Sequence, residues 1–166
     1  MSFLIIGGDF ILNSLLNAVA DNIAICFPDI PIYADEVVQG LERPCFFIRI
    51  SSLKNQGALS DYIKSIVSFE IQYFPFGNEK NMQMDRVAAS LSDALEIVEV
   101  QGVRLRANAL EYAKSGSVFV SGLNSRYESA DSILSFNAQY SYFSRLEDNS
   151  SGKGGLMENS EINLRV

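Results

Sequence analysis

Apolar residues recur at helical spacing across residues 10–27, with Ile11, Leu15, Val19 and Ile23 on one stripe and Leu12, Leu16, Ala20 and Phe27 beside it. The pattern predicts an amphipathic helix that Asp9, after Gly7-Gly8, caps at its start and Pro28 stops. Residues 2–6 form a short apolar arm ahead of it. A second helical pattern places Met84, Val87, Ala88, Leu91, Leu95 and Val98 on one face, about five or six turns beginning at an Asn78 cap. Lys80, Asp85, Arg86, Asp93 and Glu96 fall on its opposite, solvated face.

The remaining patterns have the period of strands. Pro31 introduces a short extended segment at Ile32-Tyr33, and Pro44 opens the run Cys45-Phe46-Phe47-Ile48-Arg49-Ile50. Residues 51–60 read as a polar, mobile loop. Val67, Phe69, Ile71 and Tyr73 then alternate with Ser68, Glu70 and Gln72 up to Pro75. Val103, Leu105, Ala107 and Ala109 alternate with Arg104, Arg106 and Asn108, and Leu134, Phe136, Ala138, Tyr140 and Tyr142 alternate with serine, asparagine and glutamine. Residues 117–122 and 126–130 read as shorter strands between them, joined by Gly and Asn turns.

Strict alternation in three strands predicts a mainly antiparallel sheet covered on one face, because buried parallel strands read as continuous apolar runs. The fold class is therefore α+β, with two amphipathic helices packed on one face of the sheet. Residues 1–146 form a single domain, of which 1–8 are an N-terminal arm, and residues 147–166, rich in Ser, Gly and Asn, are a flexible tail. No repeat of 20 to 50 residues is present.

A chain of 166 residues with 48% hydrophobic and 20% charged positions has the composition of one packed globular domain. Histidine is absent, which removes Ser-His-Asp and Cys-His relays and imidazole metal sites. A net charge of -7 is opposite to the footprint of a protein that holds nucleic acid by its phosphates. Cys26 and Cys45 both lie in apolar segments and are expected in the core. The N-terminal apolar run stops at Gly7 without a basic region before it, so neither a signal peptide nor a membrane span is expected, and the protein is expected to stay in the cell that makes it.

Candidate chemistry is sparse. Ser51-Ser52-Leu53-Lys54 has the Ser-x-x-Lys spacing in which a lysine activates a serine, but its companion elements are absent. Gly152-Lys153-Gly154-Gly155 lacks the spacing of a phosphate loop, and Gly7-Gly8 lacks the rest of a dinucleotide fingerprint. Asp93, Glu96 and Glu99 would share one helix face, where a solvated acidic surface is the simpler reading than a cation site, and Asp29, Asp35 and Glu36 read as loop acids. Tyr73, Phe74, Phe76 and Phe69 lack the interleaved basic residues of a nucleic-acid stacking platform. Arg104 and Arg106, facing Glu70 on another strand, admit three readings: an anion-binding or catalytic face, a cross-strand ion pair, or a contact with a neighbouring copy.

Several strings, taken in order, resemble a known family. They are Phe27-Pro28-Asp29-Ile30-Pro31-Ile32-Tyr33, Gly40-Leu41, Pro44-Cys45-Phe46-Phe47-Ile48, Tyr73-Phe74-Pro75, Asn78-Glu79-Lys80-Asn81 and Asn137-Ala138-Gln139-Tyr140-Ser141-Tyr142-Phe143. Together they look like the tail terminator family of tailed bacteriophages, particularly the small proteins of PBSX-like prophages. The likeness spans about residues 8–145 and departs from the family at residues 109–124, an apparent extra hairpin, and in the C-terminal tail.

The resemblance implies a non-enzymatic ring, typically of six copies, in the virion at the head-proximal end of the tail. Its partners would be further copies of itself, the tail tube protein, the head completion or connector protein and, in a contractile tail, the sheath terminator region. No cofactor and no membrane are implied. DNA would pass through the lumen without stable binding, which an acidic wall favours. Phe3, Leu4, Lys54, Asn55, Glu70, Arg104, Arg106 and Phe119 are the candidate subunit or tube contacts. The contrasting expectation is a small-ligand-binding or enzymatic domain that uses the Arg104, Arg106 and Glu70 sheet face.

Overall fold

Both helical stripes and the strand alternation take physical form in a computed structural model, which describes residues 8–34, 42–59, 61–118 and 127–145. Helix α1 (Gly8–Cys26) and helix α2 (Lys80–Leu95) bury the predicted stripes, Leu15, Val19 and Ile23 from the first and Met84, Val87, Ala88, Leu91 and Leu95 from the second. The strands are β1 (Ile32–Ala34), β2 (Cys45–Leu59), β3 (Tyr62–Phe74), β4 (Ile97–Val100), β5 (Val103–Arg106), β6 (Ala109–Val118) and β7 (Tyr127–Arg145). Five of them make one sheet in the order β1-β2-β3-β7-β6, antiparallel except for the short β1, which runs parallel to β2. A hairpin of β4 and β5 forms a separate sheet.

One face of the large sheet meets the helices. Phe46, Ile48, Val67, Phe69, Ile71, Tyr73, Leu134, Phe136, Ala138, Tyr140 and Tyr142 project into the same core as the helical stripes. In β3 burial alternates at every step, as a sheet with one covered face requires. Polar ties lock the layers. The Tyr140 hydroxyl donates to the Leu95 carbonyl at 2.6 Å, and Asn22 Nδ2 donates to the carbonyls of Ala94 at 2.9 Å and Ile97 at 3.2 Å. These bonds reach backbone acceptors around the end of α2 that helical bonding leaves free.

Several expectations require correction. Helix α1 already includes Gly8, so Asp9 lies inside it rather than ahead of it. Asn78 does not cap α2: Glu79 occupies that place in a left-handed conformation, without a side-chain cap. The Gln83 amide instead donates to the carbonyls of Phe76 at 2.8 Å and Asn78 at 2.9 Å, pinning the approach to the helix. Helix α2 stops at Leu95, and Val98 belongs to β4. Val98 keeps the helical phase by coincidence, but Ile97, Val98 and Val100 are β-branched, and Gln101-Gly102, both at positive φ, supply a two-residue hairpin turn.

Residues 51–59 are not a loop. They continue β2 and pair with β3 almost to Leu59, opposite Tyr62. A bulge between Ile50 and Ser52 hides this continuity, because it moves the helix-side phase from Phe46, Ile48 and Ile50 to Leu53, Asn55 and Gly57. The predicted strand from Val103 to Ala109 breaks at Ala107-Asn108, where the chain leaves the small sheet for the large one. Of the expected short strands at 117–122 and 126–130, residues 117–118 are the end of β6 and residues 127–130 the beginning of β7, while residues 119–126 lie outside the described residues. Cys45 is buried as expected, but Cys26, off the buried stripe in the last position of α1, is exposed. The apolar arm, the far part of the extra hairpin and the C-terminal tail lie outside the described residues.

Candidate assembly surfaces

The middle of the helix-free face of the large sheet is polar, because there the outward positions of adjacent strands bring polar residues into shared cross-strand rows. One row carries Arg49, Glu70, Asn137 and Glu111, from β2, β3, β7 and β6 in turn. Arg49 Nε donates to Glu70 Oε2 at 2.6 Å, and Gln72 Nε2 donates to Glu70 Oε1 at 3.0 Å. In the next row Gln139 Nε2 donates to Ser68 Oγ at 3.3 Å, and the Ser51 hydroxyl donates to the Ser68 carbonyl at 3.1 Å. Between these rows lies an open cavity of about 300 Å³, whose polar lining comprises Ser51, Ser52, Ser68, Glu111, Asn137 and Gln139. Hydroxyls and amides beside one exposed carboxylate offer hydrogen bonds, whereas acid–base chemistry draws on groups whose protonation is tuned by burial.

The described groups with shifted protonation lie in the core. Burial pushes the Cys45 thiol up against an opposing effect of Arg43, and burial likewise raises the Tyr73 and Tyr140 phenols. Among the described residues, no group of three or more His, Cys, Asp or Glu side chains could hold a metal. Asp93, Glu96 and Glu99 do not share a helix face, since α2 ends before Glu96. Among the described residues, no helix is long and apolar enough to cross a membrane.

The candidate contact residues separate into distinct places. Arg104 and Arg106 do not face Glu70; they stand on β5, paired with Glu99 and Ile97 of β4, and Arg106 Nη1 lies 3.7 Å from Glu96 Oε1. The single Arg104, Arg106 and Glu70 face is thus not assembled, and Glu70 takes Arg49 as its partner instead. Arg49 could have been found in the sequence, since it occupies the polar phase of the Cys45 run as Glu70 does in its own. Lys54 is exposed on the helix-free side of β2, while Asn55 on the other side accepts a hydrogen bond from the Ser65 hydroxyl at 2.8 Å. Phe3, Leu4 and Phe119 lie outside the described residues.

Two sheet edges remain open among the described residues. Strand β1 pairs with β2 only at Phe46, Phe47 and Ile48, so residues 51–59 have no strand on that side. At the other margin β6 pairs with β7 alone. Residues 51–58 and 111–115 are exposed. Each edge displays an apolar side chain on the helix side, Leu53 at 36% and Tyr112 at 53% exposure, the Tyr112 ring stacking at 6.4 Å on Phe136. Neither position stood out from the sequence, because edge status depends on pairing.

A family model described as phage tail terminator protein matches residues 14–152, from α1 to beyond β7. No curated protein matches the sequence. Among the solved chains that match, one is similar at 10% identity with a TM-score of 0.44, over 82% of this chain and 94% of that one, a likeness too distant to bear on function.

Proposed function

The chain belongs to the phage tail terminator protein family, a family of structural phage tail proteins, and we propose that its copies close into a ring of six on the head-proximal end of the tail tube. The ring stops tube polymerisation and presents a surface to the head completion or connector protein, and in a contractile tail it meets the end of the sheath. DNA passes through its lumen, where the acidic balance of the chain, -7 per copy, disfavours retention of phosphate.

The observation that supports this reading is the pair of unlike edges of one sheet that carry no further strand among the described residues. A ring requires a head-to-tail contact between two different surfaces of each copy, whereas a contact between identical surfaces makes a two-fold dimer. The test is to add the purified protein to polymerising tail tube protein. Growth should stop at one end of each tube, and tubes that lengthen at an unchanged rate would refute the assignment.

A further inference from the structure

The two open edges complement each other, and we propose that residues 109–113 of β6 in one copy add, antiparallel, to residues 52–56 of β2 in the next. This rests on the ring proposed above and specifies how its copies are joined. The backbone makes such a contact available, since an edge strand presents a row of unpaired N–H and C=O groups.

Direction follows from the topology. The strands β2, β3, β7 and β6 are successively antiparallel, so the two outer ones run in opposite directions. A second copy placed beside the first with its helices on the same side therefore offers its β2 antiparallel to β6. Joining β6 to β6 would instead relate two copies by a two-fold axis.

Register follows from the side chains. Setting Glu111 opposite Lys54 places opposite charges together on the helix-free face, where both are exposed. The same register sets Tyr112 opposite Leu53 on the helix side, where both are apolar and exposed. Sliding the pair by two residues in either direction puts Ser52 or Gln56 opposite Glu111 and loses the charge match, and it sets Leu53 opposite the already half-buried Leu110 or the charged Lys114 in place of Tyr112. The stretch ends naturally, since β1 occupies the same edge from Ile48 backwards, and β6 has its own bulge between Ser115 and Ser117.

This register also suits closure. Within one copy Ser52, Ser68, Gln139 and Ala109 form a single row. In the contact Ala109 meets Gln56 of the next copy, so each set of four strands is staggered by four residues. A stagger equal to the strand number corresponds to a tilt of about 36°, within the range at which sheets close on themselves.

The experiment compares Lys54→Glu, Glu111→Lys and the double exchange with the unaltered protein, scoring rings on purified tail tubes by electron microscopy. Each single change should raise the concentration for half-maximal ring formation about tenfold, and the exchange should restore it to within about twofold. In a Cys26→Ser background, a Lys54→Cys and Glu111→Cys double variant should form disulfides between copies only when rings form. Rings that tolerate both single changes without cross-linking, or single defects that the exchange does not repair, overturn the register and leave the ring reading standing. Unaltered protein that forms no rings on tubes overturns both.

Discussion

Arg49 and Glu70 face one another across β2 and β3 on the helix-free side of the sheet, with Arg49 Nε 2.6 Å from Glu70 Oε2. The side chain of Glu70 is 16% exposed and that of Arg49 54%, so water screens the pair from one side. A double-mutant cycle with Arg49→Ala and Glu70→Ala, followed by chemical denaturation, should give a coupling of about 0.5 to 1 kcal/mol. A coupling indistinguishable from zero would mean that the pair does not order this face.

Removing the Tyr140 hydroxyl should destabilise the fold through the partner it leaves behind. Tyr140→Phe strands the Leu95 carbonyl in the core and should cost about 1 to 2 kcal/mol. Burial raises the Tyr140 pKa above its ordinary value of 10.0, and Tyr73 is raised as well. The neutral phenol is thus favoured in the fold, and stability should hold below pH 10.0 and decline as pH rises beyond it. Melting temperatures across that window should fall less steeply for Tyr140→Phe than for the unaltered protein.

Asn22 joins α1 to the end of α2 through two carbonyls. Asn22→Ala should lower unfolding free energy by about 1 to 2 kcal/mol, with hydrogen exchange accelerated around residues 94–97. Unchanged exchange there would place the tie elsewhere.

The strand alternation was legible because each step of β3 and β7 pairs without interruption, so the period in the sequence is also the period of burial. Residues 51–59 were not, since polar side chains conceal a strand whose backbone is paired and whose phase a bulge has shifted. Helix α2 was predicted too long because Val98 satisfies both periods, and only the turn after Val100 separates them. At the surface, Lys54 and Glu70 were recognised as individual residues. Arg49, the partner of Glu70, was not, because the two lie on different strands and meet only through register.

Gly102 turns the β4–β5 hairpin at φ +78, and a side chain placed on it would meet nothing within 4 Å. The cost of Gly102→Ala is therefore conformational, about 1 kcal/mol by denaturation, without disturbance of the core. A loss several times larger would mean that the turn packs against something else.

The ring is tested most directly by one image: tail tubes assembled with this protein, rotationally averaged end by end. A single collar of six copies, about 110 kDa from a chain of 18.4 kDa, should stand at one end of each tube and none at the other. Protein scattered along the tube walls, or ends that carry no collar at saturating concentration, would contradict it.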